Sequence, residues 1–152
     1  MDNQDMYTKE QILDFIMNSI DNKGISYDIE NRSDQIIIWF DKDNNFTCKI
    51  DSLTIGVSQL KGYRLFNLGE GKESEICSIQ YAISHIEMIT SSELIQKEIY
   101  KMKKLCSTKQ YLLINGEEIP CSGLWILHWF HFLPFIKEEK IVKYNYCMEQ
   151  RR

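Results

Sequence analysis

Three histidines and five cysteines are the side chains of this 152-residue sequence best able to hold a metal or attack a substrate. His85-x-Glu87 followed by Pro120-Cys121 begins a pattern in which one histidine and two cysteines hold zinc while the glutamate moves a proton. A zinc-activated water needs three protein ligands, and Leu124 stands where the second cysteine would be. His128-x-x-His131 with Cys121 could share an ion only if the histidines lie on a helix, because three steps along a strand reverse the face. Asp41-x-Asp43-x-Asn45 opens like a calcium loop. Phe46 then occupies the place of the turning glycine, and Ser52 that of the closing glutamate. Gly69-Glu70-Gly71-Lys72 lacks the spacing that lets backbone amides cradle a phosphate. Cys121 assisted by His85 or His128 is a conceivable nucleophile, yet nothing beside it in the sequence would lower its pKa. No constellation is complete, so the expectation is a protein without metal, cofactor or catalytic set.

The elements that must position these residues read as follows. Thr8 and Gln11 form a capping box, and Ile12, Leu13, Ile16, Met17 and Ile20 recur at helical spacing until Asn22-Lys23-Gly24 stops the run. Ile25 to Ile29, Gln35 to Phe40, Phe46 to Ile50 and Leu53 to Val57 read as strands joined by turns, with Asp41 to Asn45 as one turn and a further strand near Tyr63 to Phe66. Gly69 to Ser74 reads as a loop. From Cys77 to His85, apolar and small polar residues alternate, which favours a strand. Thr90 and Glu93 read as a second capping box, opening a helix to about Leu105 along Ile95, Ile99, Met102 and Cys106, with Glu93 and Lys97 paired one turn apart. Tyr111 to Ile114, Asn115-Gly116 and Glu117 to Ile119 form the strongest hairpin signal, because Asn-Gly readily supplies two positive φ angles. Leu124 to Phe132 fits a buried strand or a buried helix equally, and Val142 to Tyr146 alternates as a closing strand. The economical assembly is one α+β domain over residues 1–152, a single antiparallel sheet with two main helices packed against it.

The hydrophobic fraction of 43% and aromatic fraction of 12% are enough for a packed core and too much for a disordered chain. The opening residues carry neither a basic start nor an apolar core, and the Leu124 to Ile136 stretch is shorter than a bilayer crossing requires. Five scattered cysteines with no Cys-x-x-Cys suggest thiols in a reducing compartment, and a cytoplasmic protein is expected. The net charge of −4 argues against direct nucleic-acid binding, and no membrane partner is expected. Charge is uneven, however: residues 1–51 hold eleven acids and five bases, whereas residues 77–152 hold eight acids and ten bases. An acidic face of this kind suits docking of a basic protein. The function expected is therefore non-enzymatic protein binding, as in an inhibitor or immunity-type protein that neutralises a basic, nucleic-acid-directed toxin. Asp34, Asp41, Asp43, Asp51, Glu70 and Glu73 are the candidate partner-binding residues. The alternatives are a small enzyme or ligand binder using Cys121 and a histidine, with a pocket between sheet and helix lined by Trp125, Trp129 and Tyr144, and an accessory subunit of a larger complex.

Overall fold

In a computed structural model, which describes residues 7–68, 71–101, 103–125 and 138–146, the Thr8 capping box forms as the sequence predicts. The Thr8 hydroxyl accepts from the Gln11 backbone NH, and the Gln11 side chain accepts from the Thr8 NH, so two orphan donors at the start of helix α1 (Lys9–Asp21) are satisfied. Ile12, Ile16 and Ile20 recur every fourth residue and form the buried stripe of α1. Gly24, at φ 70°, turns the chain away after it.

Five strands follow in a simple meander: β1 (Asp28–Asn31), β2 (Ile36–Asp41), β3 (Phe46–Ile50), β4 (Thr54–Gln59) and β5 (Gly62–Asn67), hydrogen-bonded in that order as one sheet. Ile36 stands opposite Ile50 and Ile50 opposite Ile55, while Ile38 stands opposite Cys48 and Cys48 opposite Val57. This period of two gathers the branched residues on one face, where Phe40 and Phe46 stack at 4.7 Å between ring centroids and α1 packs against β3. Each fully buried isoleucine stabilises the fold by roughly 1.5–3 kcal/mol. Short, charged β1 blunts the sheet edge.

A 20-residue helix, α2 (Lys72–Ser91), precedes a second sheet made of β6 (Glu93–Lys101), β7 (Lys104–Ile114), β8 (Glu117–Trp125) and β9 (Glu138–Tyr144) in the order β8-β7-β6-β9. All its pairings are antiparallel. Asn115 at φ 53° and Gly116 at φ 82° form the expected β7–β8 turn. The chain divides into two compact units, Met1–Gln59 with Arg64–Glu87 and Leu60–Tyr63 with Met88–Arg152.

The α+β class is as expected, but there are two sheets rather than one. Two elements also exchange their nature. Cys77 to His85 belongs to α2, because Ile79, Ala82, Ile86 and Ile89 fall on one buried helical stripe; the alternation of Cys77, Ile79, Tyr81 and Ile83 is incidental to it. Glu93 to Lys101 is a strand, not a helix. Thr90 is the buried end of α2 instead of a cap, and Lys97 pairs across strands with Glu118 instead of with Glu93. The inward face of β6 carries Leu94, Gln96 and Glu98, and two buried polar residues in three disguise a core face as a solvent face. The segment left open between strand and helix is strand as far as Trp125, and the rest of it lies outside the described residues.

Gln96 and Glu98 are hydrogen-bonded within the second unit. Leu60, at φ 50°, opens a tight turn from which the Lys61 backbone NH donates to the Gln96 side chain, itself bonded to Gln110 at 2.8 Å. The Lys61 ammonium donates to Glu98 at 2.6 Å and to the Tyr100 hydroxyl at 3.2 Å. The Glu98 hydrogen bond raises the Lys61 pKa against the opposing effect of burial. Ser122 exchanges hydrogen bonds with the NH and the carbonyl of Tyr63.

Candidate functional site

The meander places the candidate acids at opposite ends of the first sheet. Pairing of Asn31 with Ile36, and of Ile36 with Ile50, puts the turns bearing Asp34 and Asp51 at one end. Asp41 and Asp43 flank the β2–β3 turn at the other, where Asp28 stands opposite Trp39. Six residues of β2 separate the ends, roughly 20 Å of strand. Asp34 and Asp43 are exposed, as is Glu73 in the first turn of α2; Glu70 lies outside the described residues.

Two of the acids have local duties. Asp51 accepts from the backbone NH groups of Leu53 and Thr54 and from the Thr54 hydroxyl at 2.7–2.9 Å. Burial alone would raise its pKa; those hydrogen bonds outweigh it and hold the carboxyl below its usual value. Asp41 is half-buried and accepts from the Asn44 side chain at 2.8 Å, closing the turn that resembled a calcium loop. Asp28 and Asp43 are therefore the outward-facing acids of that end.

A surface that the sequence reading did not single out lies along the helices of the first unit. The Tyr7 backbone NH donates to Glu75 at 3.1 Å, and the Ser19 hydroxyl donates to Glu87 at 2.8 Å. Both ties span 68 residues of sequence, so α1 and α2 run side by side in the same direction and in register. Between the ties opens a hollow of about 330 Å³ lined by Tyr7, Phe15, Ile76, Ile79, Gln80 and Ile83. Phe15 forms its ridge, 44% exposed and packed edge-on against Tyr7 at 5.3 Å between centroids. On the far side of that ridge a second hollow, of about 210 Å³, adds Gln11, Asp14 and Asn18. Spacing of 7, 11, 14, 15 and 18 could have signalled this face, but Phe15 reads from sequence as an ordinary surface hydrophobe.

Of the described residues considered for chemistry, His85 and Glu87 belong to the first unit and Cys121 to the second. His85 is buried on α2 in the first unit, its ring 6.0 Å from that of Phe66, with neither nitrogen hydrogen-bonded. Burial, and secondarily the nearby Arg64 charge, lower its pKa to about 4. Glu87 is engaged by Ser19, while Cys121 belongs to β8 in the second unit. Among the described residues no group of three or more His, Cys, Asp or Glu side chains could hold a metal. Cys48, Cys77, Cys106 and Cys121 form no disulfide; Cys147, His128, His131 and Trp129 lie outside the described residues. Burial pushes the Cys48 thiol up to about 12, which removes it as a nucleophile. Tyr144 is buried on β9, remote in sequence from the hollows just described. Among the described residues no helix is long and apolar enough to cross a membrane. Compared with known protein families, with characterised proteins and with solved structures, the chain finds no significant match.

Proposed function

We propose that this chain is a non-catalytic protein-binding domain of the inhibitor or immunity type, which neutralises a basic partner by docking it on the acidic first unit. The observation that carries this reading is how charge divides between the two units. The first holds fifteen acids and seven bases, a net −8, and the second seven acids and eleven bases, a net +4. The sequence asymmetry thus becomes an asymmetry between compact bodies. A surface of one sign accelerates encounter with its opposite and disfavours partners of like sign. A basic protein that acts on nucleic acid presents cations spaced for phosphates, and carboxylates can take their place. Reducing-compartment chemistry and a cytoplasmic setting are part of the same proposal.

The test begins with affinity capture from the native source on the purified chain, followed by identification and purification of the captured protein. A basic partner whose association slows as salt rises is the expected result. An acidic partner, or an association rate indifferent to salt, would remove the electrostatic basis of the reading.

A further inference from the structure

The geometry points to the groove between α1 and α2 as the seat of one amphipathic helix from the partner, its apolar side against Phe15, Ile76 and Ile83 and its basic residues toward Asp14 and Glu73. This rests on the reading of the chain as a protein-docking domain and names the chemistry of what docks.

Three features select a helix. The ties Tyr7 to Glu75 and Ser19 to Glu87 are twelve residues apart along α2, a channel of roughly 18 Å, which about three turns of a third helix would fill. Both walls are helices, which satisfy their own backbone groups, so an extended segment would find no ladder of hydrogen bonds there, whereas a helix brings its own. The floor is apolar, with Ile79 buried, Ile76 37% exposed and Phe15 rising beside them. Large apolar side chains at helical spacing fit such a floor, and an aromatic ridge is the kind of feature on which binding energy concentrates.

Charge selects the sign. Of the described side chains lining the two hollows, Asp14 carries a charge and none is a base. Glu73, exposed, lies one turn before Ile76 on α2. An anionic or acidic occupant would meet repulsion from both; lysines or arginines flanking the apolar side would be attracted.

The probe is a synthetic peptide of about fourteen residues, with leucines at three- and four-residue spacing and lysines on its other side. A scrambled peptide of the same composition, which has no apolar side, is the control. Fluorescence anisotropy on the full chain should show the amphipathic peptide binding, with Phe15→Ala weakening it about tenfold and Tyr81→Ala, on α2 outside the hollow, leaving it unchanged. Thermal unfolding confirms that each variant is folded. Equal binding of the scrambled peptide, no loss with Phe15→Ala, or equal loss with Tyr81→Ala overturns the assignment. So does a Phe15-dependent dimer in sedimentation, which would make a second copy the occupant. Repeating Phe15→Ala against the captured partner separates the two proposals. If Asp28→Lys with Asp43→Lys slows that partner and Phe15→Ala does not weaken it, docking stands and the groove falls; if neither has an effect, both fall.

Discussion

Buried on α2 with neither ring nitrogen hydrogen-bonded, His85 resists protonation, and its pKa of about 4 lies below the unfolded value of roughly 6.5. Below pH 6.5 the unfolded chain takes up a proton that the folded chain refuses, so stability falls with pH until the folded group itself titrates near 4. From pH 7 to pH 5 this one residue should cost about 2 kcal/mol. His85→Met, of similar bulk and without polar atoms, should remove that share of the pH dependence in denaturant unfolding and leave stability at pH 7 equal or higher. An unchanged slope would mean that His85 is hydrated or paired in solution. In the sequence the same residue stood out as half of a zinc pattern; its isolation in the core depends on Phe66 and Arg64, which only the tertiary structure brings near. Lys61 and Glu98 make the opposite case. Glu98 is 2% exposed in its side chain while Lys61 is half-exposed, so Lys61→Met leaves a buried carboxylate without its cation. A destabilisation of about 2 kcal/mol is expected, largely relieved by adding Glu98→Gln. Strict additivity of the two substitutions in unfolding experiments would contradict the pairing.

Among the elements, those with a single consistent signal were legible. The α1 cap, the Asn115-Gly116 turn and the opening meander agree at every level of local preference, and they form as the sequence predicts, except that the first strand lies at Asp28–Asn31 instead of Ile25 to Ile29. The α2 and β6 segments were misread for complementary reasons. In α2, apolar residues satisfy a period of two by chance and the helical period through burial. In β6, two of the three inward residues are polar because Gln96 and Glu98 bond to partners contributed by β7 and by the turn at Lys61. A pattern built on hydrophobicity cannot register a core face that carries a hydrogen-bonded amide and a paired carboxylate. The same turn yields a prediction about glycine. A Cβ at Gly62 would collide with the buried Gln110 side chain, whereas one at Gly116 meets open space. Gly116→Ala should therefore cost only the conformational penalty of positive φ, about 1 kcal/mol. Gly62→Ala must also displace the Gln110 to Gln96 hydrogen bond, adding roughly 1–3 kcal/mol. Shortening residue 110 by Gln110→Ser in the Gly62→Ala background should recover part of that loss, and failure to do so in thermal unfolding would place the strain elsewhere.

At the scale of the molecule, charge was the legible property and its geometry was not. The acidic start of the sequence marks the first unit correctly in sign, but four of the six candidate acids, Asp34, Asp41, Asp43 and Asp51, divide between two ends of a sheet, Glu73 lies on α2, and Asp51 and Asp41 are occupied by their own turns. Only the folded chain distinguishes acids that hold a turn from those that face outward. The proposal of an acidic docking body predicts that position of charge, rather than net charge, governs encounter. The direct measurement is stopped-flow association of the captured partner with two charge-reversed variants at low salt. One carries Asp28→Lys and Asp43→Lys in the first unit, the other Lys140→Glu and Lys143→Glu on exposed positions of β9 in the second. The account predicts association slowed about tenfold or more by the first pair and not slowed by the second, with both variants folding like the native chain. Association left unchanged by the first pair, or slowed equally by both, would contradict it.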